Sequence, residues 1–108
     1  MHYKLVLIGF GNVARALARL LIRKQDLLKS QHDVTFSFTG IATGSHGFAV
    51  NPNGLDIQKA LEFVESKQSI SPLSVIPVED SLAVIINSQA DVMFENSPVN
   101  TQTGQPAL

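Results

Sequence analysis

The opening of the chain constrains its fold more than any other stretch. Tyr3 to Ile8 are β-prone and nearly all apolar, and they run straight into Gly9-Phe10-Gly11, after which a helical pattern begins at Asn12 or Val13. An apolar run of this kind suits a parallel strand covered on both faces. The turn reads G-x-G-x-x-A from Gly9 to Ala14, the dinucleotide-binding fingerprint with alanine in the third place. Gly9 lets the chain turn sharply off the strand, and Gly11, with no side chain, lets a pyrophosphate approach the backbone. Ala14 is small enough for the first helix to pack tightly on its strand. The free N–H groups of that helix's first turn, at the positive end of its dipole, then face the phosphates.

The residues that follow place Val13, Ala16, Leu17, Leu20 and Leu21 on one helical stripe, with Arg15, Arg19 and Arg23 on the opposite face. This helix is expected to end at about Leu28, with Ser30-Gln31-His32-Asp33 as a polar connection. Val34 to Ala42 reads as a second strand, parallel to the first and next to it, because a crossover of this length makes a βαβ unit. Thr43 to Leu55 reads as one long glycine-rich loop at the carboxyl edge of the sheet, where such folds meet ligands. Asp56 is a good N-cap for a helix through about Lys67, with Ile57, Ala60, Leu61 and Val64 inward. Leu73 to Ile76, between Pro72 and Pro77, suggests a brief strand. A short helix from about Asp80 to Ser88 is expected to turn Leu82, Ile85 and Ile86 inward. Asp91 to Glu95 reads as a further parallel strand.

Composition narrows the function. A net charge of −1 gives no basic field for nucleic acid or an anionic membrane, and 44% hydrophobic with 16% charged residues is a packable globular balance. The absence of cysteine removes disulfides, thiolate metal sites and cysteine nucleophiles together, and it fits a reducing compartment. His2, His32 and His46 lack ligand spacing, so no metal site is expected. No targeting segment or membrane span is visible, which predicts a soluble, cytoplasmic protein. At 108 residues the chain is small for a dinucleotide-binding domain plus a substrate domain, and Gln105-Pro106-Ala107-Leu108 reads as a helix barely begun. It is therefore expected to be part of a longer protein.

Three segments resemble the NAD(P)-binding domain of homoserine dehydrogenases. They are Ile8-Gly9-Phe10-Gly11-Asn12-Val13-Ala14-Arg15, where the family usually has G-x-G-N-V-G-R, then Gly40 to Gly47 continuing to Asn53-Gly54-Leu55-Asp56, and Ala90 to Asn100 with Thr103-Gly104-Gln105-Pro106-Ala107. The last is similar to the family's D-V-x-x-E-x-[ST]-P-x-N-x-x-T-G-x-P-A and is the most specific. The resemblance implies an α/β, Rossmann-like domain, incomplete over residues 1–108, with a mostly parallel sheet and flanking helices. It implies a part in reducing aspartate semialdehyde to homoserine with a nicotinamide cofactor, in threonine and methionine biosynthesis. Carried over by position, Gly9, Phe10, Gly11, Asn12 and Val13, with Ala14, would hold the pyrophosphate. Thr43, Gly44, Ser45 and His46 would sit beside the adenosine ribose, and Ser97 and Pro98 near the nicotinamide. The family's A-N-K segment, whose lysine serves the catalytic site, would lie past Leu108, so no catalytic residue is assigned and the small-molecule substrate belongs to the full-length protein.

Between Thr39 and Val50 there is no Asp or Glu to hold the ribose hydroxyls of NAD, nor an arginine to grip the extra phosphate of NADP. Thr43, Ser45 and His46 could accept that phosphate, which favours NADP or use of both cofactors. Arg15 reads as an exposed member of the arginine row rather than a phosphate ligand, and Glu95 as a structural rather than a catalytic acid. An early end to the sheet would leave an edge or apolar surface through which copies pair, giving a homodimer or larger. The alternatives are a stand-alone nucleotide-sensing module without catalysis, or another NAD(P)-dependent oxidoreductase.

Overall fold

The computed structural model describes residues 1–95 of the 108. Ser97, Pro98 and the helix start at Pro106 lie outside them. The elements are β1 (His2–Ile8), α1 (Asn12–His32), β2 (Thr35–Ala42), β3 (Phe48–Val50), α2 (Ile57–Glu65), a 3-10 turn (Ser71–Leu73), α3 (Ser81–Ser88) and β4 (Val92–Glu95). Among the described residues the sheet has four strands in the order β3-β2-β1-β4, and β1 pairs in parallel with both β2 and β4. The expected α/β class and mostly parallel, Rossmann-like sheet are therefore present.

Successive residues of a strand face opposite sides, and β1 uses both. Leu5 and Leu7 pack with Ala14 and Ala18 of α1 and Ala60, Leu61 and Val64 of α2 on one side. Val6 and Ile8 pack with Val84 of α3 on the other. The order places β2 and β4 on opposite flanks of β1, so the carboxyl end of β1 is a topological switch point, where open α/β sheets leave a crevice.

Several expectations need correction. α1 runs four residues past Leu28, to His32, and closes on Asp33 in the left-handed region, whose N–H donates to the Leu28 carbonyl. Polar Ser30, Gln31 and His32 are exposed, so nothing forces them out of the helix. The buried stripe of α1 is also displaced. Ala14 and Ala18 are fully buried, whereas Val13 is 74% exposed and Leu20 is exposed. The helix lies close to the sheet on its smallest side chains, and the larger Leu17, Leu21 and Ile22 close the sides.

The long loop contains a strand. Phe48–Val50 folds back antiparallel on β2, with Ala42 opposite Phe48 and Gly40 opposite Val50. No strand forms at Leu73 to Ile76. Pro72 opens a 3-10 turn instead, and Ser74 uses its hydroxyl to accept from the Val50 amide and donate to the Ile76 carbonyl, 2.9 and 2.6 Å. Asp56 caps α2 as expected, its side chain accepting from the Lys59 amide, and Asp80 caps α3 through Ala83.

α3 presents the opposite face from the one its hydropathy predicts. Val84 and Ser88 are buried, while Leu82 and Ile86 are 64% and 66% exposed and Ile85 is exposed. The reason lies beneath the helix at Gly40, against which Val84 Cγ1 and Ser88 Cβ are packed. A helix seated on a bare strand backbone turns its slimmer face inward.

Candidate nucleotide-binding site

At the carboxyl edge of β1 and β2 a cavity of about 700 Å³ opens between the two first loops. Ile8, Gly9, Phe10 and Gly11 form one wall, and Ala42, Thr43, Gly44, Ser45 and His46 form the facing one. The end of α2 contributes Val64 and Glu65, the turn just after it Lys67, and α1 contributes Arg15. Gly9 takes φ +93°, a conformation that disfavours any other residue, while its N–H donates to the Ala42 carbonyl at 2.7 Å. That bond locks the glycine turn against the end of β2.

Gly11 is the N-cap of α1. It offers no side-chain cap, and the first turn holds no acidic residue. A Cβ placed on Gly11 would meet nothing within 4 Å. The leading N–H groups of a long helix are thus left to an external acceptor at the positive end of its dipole. Of the sequence-predicted residues, Gly9, Phe10, Gly11, Thr43, Gly44, Ser45 and His46 come together around the cavity. Asn12 and Val13 begin α1 on exposed positions, and Ala14 is buried against the sheet.

Thr43 is spent within its own turn. Its hydroxyl donates to the Gly47 carbonyl and accepts from the His46 amide, both at 2.7 Å, and the residue is buried. Its one proton is already given to Gly47, so none is left to donate to a phosphate as the sequence suggested, and Ser45 and His46, whose side chains meet at 3.0 Å, line the same cavity.

Arg15 is not simply exposed. Its guanidinium donates to Asn12 Oδ1 at 2.6 Å and lies 3.5 Å from Glu65, leaving the side chain 20% exposed at the cavity wall. Arg19 donates to the same Glu65 oxygen, Oε2, at 2.5 Å. The bond from Arg19, then the attraction of both guanidiniums, holds the Glu65 carboxyl below its usual value, and Glu65 in turn raises Arg19. The carboxylate is therefore ionised throughout the neutral range. Sequence reading missed Glu65 and Lys67, since their approach depends on how α2 docks against α1 and no local pattern encodes that.

No helix among the described residues is long and apolar enough to cross a membrane. No family model matches the chain, and no solved structure matches it significantly. Two curated relatives do. A homoserine dehydrogenase of Methanocaldococcus jannaschii is 36% identical over 104 residues, covering 95% of this chain and 30% of that protein. An NAD(+)-dependent homoserine dehydrogenase of Pseudomonas canavaninivorans is 35% identical over 108 residues, covering 98% of this chain and 30% of that protein. The chain thus spans less than a third of the relatives it matches. The resemblance carried by the sequence motifs is borne out: over nearly its whole length this chain is homologous to part of a homoserine dehydrogenase.

Proposed function

We propose that residues 1–108 are the nucleotide-binding part of a homoserine dehydrogenase-type oxidoreductase, in which a reduced nicotinamide cofactor delivers hydride to the aldehyde carbon of aspartate semialdehyde. The single observation that carries this reading is the uncapped, acid-free start of α1, opening on a cavity at the switch point of the sheet. The residues present fit the group. Gly9 to Gly11 and the leading amides of α1 would take the pyrophosphate, and the Thr43 to His46 turn would border the adenosine ribose; Ser97 and Pro98, outside the described residues, are assigned to the nicotinamide by the family resemblance alone. The glycine turn supplies dipoles rather than charge, so it binds without neutralising and leaves the cofactor's chemistry intact. Arg15 and Lys67 at the cavity wall support NADP, and the NAD(+)-dependent relative supports NAD. The absence of cysteine from these 108 residues is compatible with the reducing cytoplasm of such a biosynthetic enzyme.

Calorimetric titration with NAD and with NADP tests the reading. Heat saturating at one cofactor per chain is expected from at least one of them. No heat from either, in a sample shown to be folded by circular dichroism, would overturn both this reading and a nucleotide-sensing one.

The exposed Leu82, Ile85 and Ile86 of α3, with Met93 on β4, the outermost strand among the described residues, support pairing between copies. Sedimentation should then show a species heavier than the monomer that Ile86→Glu dissociates. A monomer at every concentration would dismiss the pairing.

A further inference from the structure

Ordinary dinucleotide folds choose between cofactors with an acid at the end of the second strand, which accepts the ribose hydroxyls and repels a phosphate in their place. This chain has no acid there, and the Thr43 hydroxyl is consumed by its own turn. The fold brings a carboxylate to the same cavity by another route. Glu65, the last residue of α2, lines it together with Ser45, His46 and Gly11. One of its oxygens is fixed by Arg19 and Arg15, no partner of the other is found among the described residues, and the side chain is 40% exposed. Arg19 grips from outside the cavity, in the groove it shares with Ile22 and Gln58. The carboxylate is thus aimed from behind and held ionised.

Resting on the nucleotide-binding reading above, we propose that Glu65 is the specificity-determining carboxylate of this site, disfavouring a phosphate on the adenosine ribose and accepting free ribose hydroxyls in its place. It acts against Arg15 and Lys67, which line the same cavity and attract that phosphate. A phosphate monoester carries between one and two negative charges at neutral pH where a hydroxyl carries none, so Glu65 discriminates through charge while the rest of the dinucleotide is common to both ligands.

Calorimetry on the Glu65→Gln variant should raise affinity for NADP relative to NAD by about tenfold or more, with NAD itself weakened only a few-fold. Arg19→Gln breaks the same tether between α1 and α2 but leaves the carboxylate in place, so its ratio should stay unchanged or move toward NAD. If both variants weaken NAD and NADP by one common factor, Glu65 serves only to hold the helices together and the proposal falls. If the folded wild-type chain binds neither cofactor, the nucleotide-binding reading itself falls.

Discussion

Gly11→Asp is expected to weaken nucleotide binding by about a hundredfold or more while leaving the fold as stable as before, or more stable by about 0.3–1 kcal/mol. The two effects have opposite signs because one residue serves two purposes. For stability alone, glycine is a poor choice here. It heads a helix of 21 residues, its φ of −79° is open to any residue, and a Cβ would meet nothing. Aspartate could accept from the unpaired amides of the first turn and place a negative charge at the positive end of the helix. The same carboxylate would occupy the amides and repel a pyrophosphate at close range. Gly11→Ser adds a cap without a charge and should lose affinity by a smaller factor. Urea denaturation reads the stability and calorimetry the binding. Unchanged affinity in the aspartate variant would mean that phosphates do not touch this turn.

That contrast also shows what the sequence could reveal. The glycine turn is written in local terms: an apolar run, two glycines at fixed spacing and a period of 3.6 residues beginning at once. Each feature constrains its own neighbourhood, so β1, α1 and their parallel partner β2 were legible, as was the cap Asp56. The faces of the helices were less so. Hydropathy ranks side chains by area, which put Val13 and Leu20 of α1, and Leu82, Ile85 and Ile86 of α3, on the inside. The observed faces are set by how closely two backbones approach, and there small residues such as Ala14, Ala18 and Ser88 win. β3 was hidden because three residues between turns carry too little pattern. The Glu65–Arg15–Arg19 cluster was hidden because its members meet only after α2 has docked against α1.

The other large effect is expected at Gly40. It pairs with Val6 immediately after an irregularity that inserts Thr39 into β2, and its bare backbone receives α3. An added Cβ would lie 2.8 Å from Val6 Cγ2, 2.9 Å from Val84 Cγ1 and 3.0 Å from Ser88 Cβ. None of these can easily yield. The two valines are fully buried and stiff about χ1, and the Ser88 Cβ is fixed to its own backbone. Gly40→Ala gains about 0.5–1 kcal/mol from a less flexible unfolded chain, yet overpacking should outweigh this and leave a net loss of about 1–3 kcal/mol. Gly40→Val should lose more and lift α3 from the sheet. For a domain whose whole stability is of order 5–15 kcal/mol, that is a large share. Removing the obstacle should restore part of it, so Gly40→Ala combined with Val84→Ala is expected to be less destabilised than the sum of the two single changes, by about 0.5–3 kcal/mol. Urea midpoints for the four proteins complete the cycle. A neutral Gly40→Ala, or strict additivity with Val84→Ala, would show that α3 does not sit this closely on β2. Its exposed leucine and isoleucines would then need another cause.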